Sequence, residues 1–501
     1  MQLVWFKRDL RINDHAPLTL AAQQGHCLCL YVYEPEIIQS DEFDPSHLQF
    51  INESLEELDQ RLRELGGRLT IRVGTVPDVL DELHSQHGID TLWSHEESGN
   101  KITYDRDLRV AAWSDRNEVP WKEIPQNGVV RRLTSRDGWS KQRDLFMRKP
   151  LTECPTAIVQ PSGVDSGTRQ TAEQLGLSNT NKTGLQIGGA KAAEETLHSF
   201  LMHRGQEYSS EMSSPVTAID SCSRLSTYLA WGCISMKHVV HELRERQTHL
   251  RELQKIDEPI GNWLKSLRSF ESRLSWHCHF MQKLEDEPSI EFENMSRVYD
   301  GMREDEFSQS RFDAWCEGQT GYPMVDACMR ALHQYSWINF RMRAMLVSFA
   351  SYHLWLHWRP TAVYLSRHFL DFEPGIHFSQ FQMQSGTTGI NNVRIYSPIK
   401  QVKDQDPDGT FIKEFVPELA GVPSKHIAEP HKMSLDEQSK SGCVIGKDYP
   451  EPIVEHSVAY KAARDRIYAV RRRDDAKSEA QRVVKKHGSR KRTVRRKTGR
   501  K

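Results

Sequence analysis

The chain has 501 residues, enough for two or three domains, and a formal net charge of -1, which excludes a protein whose whole surface is basic. Nine cysteines are scattered without a CxxC pair, which argues against a disulfide framework and against a zinc site. No apolar run is long enough to span a membrane, and MQLVWFKRDL reads as a strand start rather than a signal peptide, so a soluble, cytoplasmic protein is expected.

Gln2 to Phe6 is a short apolar strand and HCLCLYVY, from His26 to Tyr33, is a second. Leu48, Ile51, Leu55, Leu58, Leu62 and Leu65 form a helical stripe over 47–65. A strand over 69–73, a helix over 76–87, a strand over 90–93, a helix over 104–116 and a strand over 119–124 follow. Strands alternating with helices predict a doubly wound parallel sheet over residues 1–128. No GxGxxG follows the first strand. A ligand of this domain is expected at the carboxyl ends of the strands, near Lys7, Arg8 and Asp9.

Residues 129–190 lose periodicity and carry breakers such as SNTNKTG, so they read as a linker wrapping the surface. From about Ala190 the pattern is helical, and a helical domain is expected over 191–470. DSCSRLS, residues 220–226, reads alone as a helix N-cap. A long apolar helix is expected from about Trp337 to Trp358, with Arg341 and Arg343 inside it. Two guanidiniums there need acceptors, since an unpaired buried charge costs several kcal/mol, and Asp371 is the nearest downstream carboxylate. Residues 371–409 are too polar for core and too poor in Lys and Glu for ordinary surface. They read as a long loop that either lines a pocket or lies on the surface. Residues 471–501 are expected to be a disordered tail whose last part, from Lys485, has no acidic residue. Such a block is either a solvated tail or an arm attracted to nucleic acid.

VWFKRDLRINDHAPL, then Trp315 with GQTGYPMVDACMR, WINFRMR, HLWLHWR, RIYSP and DPDG, in that order, resemble the photolyase/cryptochrome family over roughly residues 1–420. The resemblance implies an α/β domain followed by an all-helical domain that holds FAD. It places FAD against Tyr208, against the run Cys222, Ser223, Arg224, Leu225 and Ser226, and beside the pair Arg343 and Asp371, with Arg341, Phe372 and Glu373 nearby. Hydroxyls and backbone N–H groups of the 222–226 run would take the pyrophosphate. The position facing flavin N5 falls on Ser379 or Gln380, where the family usually has Asn. Trp315 and Trp358 match the outer and middle tryptophans of the family's electron relay. The inner position falls near Gln382 and is not Trp, which leaves Trp355, Phe378 or Phe381 as substitutes.

By the same resemblance Trp276 would face a flipped-out lesion, with Arg273 where a Glu is common and His277 where an Arg is common. The histidines used by animal-type (6-4) photolyases are replaced by Phe340 and Ala344, which ranks cyclobutane dimers first. An antenna chromophore of folate or deazaflavin type is a second cofactor implied by the family. The iron–sulfur cluster of some relatives is not expected, because only Cys443 lies beyond residue 328. The implied partner is UV-damaged DNA and the implied state a monomer. Two activities stay open: a photolyase that splits pyrimidine dimers, and a cryptochrome-like blue-light receptor without repair.

Overall fold

A computed structural model describes residues 1–488. Five wholly parallel strands form one sheet: β1 (Gln2–Phe6), β2 (Cys27–Tyr33), β3 (Leu69–Val73), β4 (Thr91–His95) and β5 (Trp121–Ile124). Their order is β3-β2-β1-β4-β5. β1 and β2 are buried at every residue, as strands covered on both faces by helices must be. One covering helix, Pro45–Glu64, starts at a capping box between Asp44 and His47 and buries Leu48, Ile51, Leu55, Leu58 and Leu62. The strand order reverses between β1 and β4, so the crevice beyond their carboxyl ends is where this topology accepts a ligand.

The sheet domain does not stand apart from the helical half. Val4, Phe6 and Leu55 share one apolar cluster with Leu197, Phe200, Leu243 and Leu267. Polar contacts fix the register across the seam. Arg8 donates to the Phe372 carbonyl at 2.8 Å, Arg11 to the Gly232 carbonyl at 2.9 Å, and His47 Nε2 lies 3.0 Å from the Phe369 carbonyl oxygen. Gly232 sits at φ 66°, and a Cβ there would lie 2.3 Å from the Arg8 carbonyl oxygen, so the two backbones approach as only glycine permits.

The helical half departs from the sequence expectation in three places. The helix expected from Trp337 to Trp358 is interrupted: Phe340–Ser348 is α-helical, 349–353 forms a π turn, Trp355 is left-handed at φ 57°, and Trp358–His368 is a new helix. The extra residue of a π turn shifts the apolar stripe without breaking it, so periodicity alone does not reveal the break. The stretch expected as a loop opens instead with a helix, Pro374–Ser385, started by a proline and stopped by Gly386 at φ 82°. The region expected to be disordered from residue 471 contains a helix, Asp474–His487, that buries Ala476, Val483 and His487. The rest of that tail, 489–501, lies outside the described residues. Among the described residues no helix is long and apolar enough to cross a membrane.

Candidate functional site

The site is built where the helix Phe340–Ser348 meets the turn before the helix Pro374–Ser385. Arg343 and Asp371 form a two-pronged pair, Nη1 to Oδ1 and Nη2 to Oδ2, both 2.9 Å. Arg343 Nε also donates to the Ile338 carbonyl at 2.8 Å, and the guanidinium lies 4.0 Å from the Phe369 ring centroid. Burial would raise the Asp371 carboxyl, but Arg343, the Ser226 hydroxyl and Arg224 outweigh it and hold the group below its usual range. Of the two arginines in this helix only Arg343 takes Asp371, and Arg341 Nε is buried without a partner.

The 222–226 run converges on the same carboxylate through Ser226 and Arg224. Its helix, Ser226–Ala230, has five residues, so the expected dipole of a helix start is small. The cation there is the stronger anion-binding feature. Arg224 stands at φ 60°, stacks 3.9 Å over Trp337, and has Nη1 buried without a partner; burial lowers its pKa to about 10. Burial pushes the Cys222 thiol up to about 12, so it is a neutral lining group. The carbonyls of Cys222 and Ser223 accept from Arg204, which turns the backbone of this run. Leu225 is buried beneath it in the interdomain cluster. Tyr208 is buried and its phenol is raised to about 12 by that burial, a rise that nearby Arg273 opposes.

On the helix Pro374–Ser385 the Ser379 hydroxyl is buried without a partner, whereas Gln380 is half-buried and reaches Gln384 at 3.5 Å. Unpartnered Arg224 Nη1 and Ser379 Oγ, beside an ion pair, fit a cofactor that carries phosphates and a polar ring. Gln382 is not a vacant relay position. Its amide accepts from the Met295 N–H at 2.6 Å and donates to the Ile290 and Glu293 carbonyls at 2.9 and 2.8 Å.

Two residues are not where the family resemblance implies. His277 does not face outward with Trp276; it forms an ion pair with Glu373 at 2.8 Å, and both line a cavity between the domains. Burial opposes the imidazolium, yet Glu373 and Cys278 raise His277 to about 10. Glu373 is thus committed to His277 rather than to the Arg343–Asp371 site, two residues further along a turn that also carries buried Phe372. Adjacent residues on a helix point about 100° apart, and Trp276 takes the outward direction. It is 41% exposed, with the Arg273 guanidinium 4.4 Å over its ring.

Trp315, expected as the outer relay residue, is fully buried and cannot be a surface terminus. It packs against Phe312 and Tyr364. Trp358 is also buried, donates to Asn294 at 2.8 Å, and meets Phe378 with centroids 6.5 Å apart. Two guanidiniums lie over the Trp355 ring, Arg303 at 4.6 Å and Arg466 at 4.7 Å from its centroid. Two cations this close oppose a positive charge on the ring, which disfavours Trp355 as an electron donor.

The interdomain cavity opens at the carboxyl ends of β1, β2 and β4 and is lined by Lys7, Arg8, Tyr33, Arg106, Trp231 and His277 among others. Behind it Asp9 Oδ2 meets His15 Nε2 at 2.9 Å and His95 Nδ1 at 2.7 Å. The three have metal-ligand spacing, but Asp9 is already bonded to both rings, His15 Nδ1 caps Leu18, and buried Arg11 adds a positive charge beside them. They form a closed hydrogen-bond knot. Sequence spacing could not reveal it, since His95 comes from a strand far along the chain from Asp9 and His15.

A doubly wound domain locked to a helical half that buries an ion pair, a guanidinium with one unpartnered nitrogen and an unpartnered hydroxyl fits a two-domain flavin-type nucleotide carrier. Residues 2–144 match the DNA photolyase family model and residues 270–469 match the FAD binding domain of DNA photolyase. The chain belongs to the photolyase/cryptochrome family. It is 27% identical to a cryptochrome DASH of Gloeobacter violaceus, covering 93% of this chain and 95% of that one. It is 26% identical to a deoxyribodipyrimidine photo-lyase of Alkalihalophilus pseudofirmus, with 92% and 97% covered. Its fold superposes with a TM-score of 0.80 on a bacterial class III photolyase from Agrobacterium tumefaciens, at 25% identity and with 94% and 98% covered.

Proposed function

We propose that the chain is a light-driven DNA-repair flavoprotein that splits cyclobutane pyrimidine dimers. The observation that carries this reading is the exposed Trp276 with the Arg273 guanidinium stacked 4.4 Å over its ring. An aromatic face in solvent, backed by a cation, is a platform for a base taken out of the duplex. Reduced FAD, when bound, supplies the electron that opens the dimer. Arg224 and Ser226 would hold the phosphates, and Arg343–Asp371 the ring, with Ser379 or Gln380 toward its N5 edge. The ion pair keeps a fixed charge distribution beside the ring, and the surrounding apolar cluster excludes water. Trp358 and Trp315 would carry electrons inward, since both are free of stacked cations among the described residues. The interdomain cavity would hold a second chromophore. A solved photolyase from Sulfolobus tokodaii is described with two FAD molecules and a light-harvesting role.

A second reading, a blue-light receptor, is favoured by the use of Gln382 as a structural cross-link in place of an inner tryptophan. The test is illumination of the chemically reduced protein with an oligonucleotide containing one thymine dimer, beside a dark control. Light-dependent recovery of the intact strand is expected. Absence of recovery from a folded, FAD-loaded protein refutes repair and leaves the receptor.

A further inference from the structure

We propose that the chain holds a small oxyanion of phosphate type beneath its helix His456–Arg471, against Arg303, Tyr352 and Trp355. The inference is independent of the repair reading. These three side chains are 2%, 1% and 7% exposed. Each leaves a polar atom without a partner: Arg303 Nε, the Tyr352 hydroxyl and Trp355 Nε1. The Arg303 guanidinium lies 4.6 Å from the Trp355 ring centroid and 5.5 Å from that of Tyr352, so the three share one patch. The backbone is bent to place two of them there. Tyr352 stands in the π turn 349–353, and Trp355 follows at φ 57°, a conformation that a bulky side chain rarely adopts.

The patch has cations in excess. Arg303 makes one side-chain hydrogen bond among the described residues, from Nη2 to the Ser385 carbonyl at 3.0 Å. Its neighbour Glu304 accepts from the Arg303 backbone N–H at 2.8 Å and lies 3.6 Å from His357. Arg471 donates to the Asn391 carbonyl at 2.8 Å. Neither guanidinium has an ion pair among the described residues. Burial lowers Arg303 to about 10. Burial also raises the Tyr352 phenol to about 12, against the opposing charges of Arg303 and Arg471. Both groups therefore stay protonated at neutral pH, and every unpartnered atom of the patch can donate. A water molecule accepts from such donors but leaves the charge of a buried guanidinium unanswered, which is costly. A tetrahedral oxyanion accepts at each of its oxygens and supplies the charge.

The helix His456–Arg471 covers the patch, packing Ala463 and Ile467 on Tyr299, Tyr352 and Trp355. A free ion enters when that helix lifts, whereas a phosphate tied to its neighbours in a DNA strand does not fit beneath it. The ion joins two parts of the molecule. Ser385, held by Arg303, is the last residue of the helix that carries Ser379, and Arg471 is the last residue of the covering helix. An oxyanion between Arg303 and Arg471 fastens the C-terminal segment to the cofactor cradle, so free phosphate acts as a stabilising effector.

The test uses the full chain with FAD bound, which keeps phosphate out of the cradle at Arg224, after dialysis into a chloride buffer. Sodium phosphate is then added at constant ionic strength. The thermal midpoint should rise by several degrees and saturate, since a ligand of the folded state alone stabilises it. Titration calorimetry should find one site per chain, and hydrogen exchange should slow in 349–353 and 456–471. Arg303→Met should abolish the saturable rise. Because that variant alters a packed core, two milder ones accompany it. Trp355→Phe removes one N–H and Arg471→Met one half-buried cation, and each should weaken binding roughly tenfold. Arg464→Gln, on the exposed side of the same helix, should leave binding unchanged. A midpoint that follows ionic strength alone, or equal affinity in the wild type, Trp355→Phe and Arg471→Met, overturns the inference. Displacement of the phosphate by undamaged duplex DNA overturns it as well, and gives the patch to the DNA backbone.

Discussion

His277 carries a charge that its surroundings would otherwise remove. Burial disfavours the imidazolium, and the carboxylate of Glu373 at 2.8 Å outweighs that cost, moving His277 from the ordinary 6.5 to about 10. A group whose folded pKa is raised contributes stability that is complete below its unfolded value and is lost as pH rises through the folded one. The contribution should therefore be full below about pH 6.5 and vanish as pH approaches 10. The difference in thermal midpoint between the wild type and His277→Asn, measured from pH 6 to 10, should be largest at the acid end and shrink steadily. A difference that does not change with pH would mean that packing alone, not charge, holds this contact. His277 also marks what sequence cannot give at this scale. Arg343 and Asp371 are legible because a charge inside an apolar run demands a partner and one carboxylate follows it. The His277–Glu373 and Tyr364–His333 contacts join distant segments of ordinary composition, and only the folded chain brings them together.

The helix Pro374–Ser385 shows why one element was misread while the sheet was not. Each strand of the sheet is a short apolar run bounded by turn residues, and burial on both faces leaves that pattern no alternative. The helix buries Ser379, Gln382, Gln384 and Ser385, which a hydrophobicity pattern scores as loop. Its stability comes from partners that composition does not reveal, chiefly the Gln382 amide bonded to the 290–295 segment. Pro374 and Gly386 bound the helix as start and stop residues. Gln382→Leu keeps the volume but strands the Met295 N–H and two carbonyls, each stranded group costing about 1–3 kcal/mol. The denaturation midpoint should fall accordingly at unchanged slope, and Arg343–Asp371 beside the helix should retain less flavin, read as the flavin-to-protein absorbance ratio. An unchanged midpoint would show that water replaces the amide there.

At the scale of the whole molecule the C-terminal segment divides into a packed helix and, in sequence, a basic run. The helix Asp474–His487 belongs to the folded body. His487 meets Glu287 at 2.5 Å, Lys486 reaches the same carboxylate at 3.3 Å, and Arg482 donates to the Met295 carbonyl at 2.6 Å. Val483 and Ala476 are buried beneath it. Glu287 follows directly on the helix that carries Trp276 and His277, and Met295 is the residue that Gln382 holds. The C-terminal helix therefore closes the same unit that positions the cofactor cradle and the outward tryptophan. Beyond it, eight of the thirteen residues 489–501 are Lys or Arg. A chain ending at Gly488 should keep its thermal midpoint while losing non-specific affinity for duplex DNA. Its slope of log affinity against log salt should become shallower by about 0.9 for each phosphate no longer neutralised. A chain ending at Arg472 should in addition unfold several degrees earlier, because Glu287 loses its partners and Val483 no longer covers the apolar surface beneath it. If the shorter truncation alone lowered the midpoint, the basic segment would be part of the packed body. If it left the salt slope unchanged, the phosphate contacts would lie on the helical domain around Arg273 and Trp276.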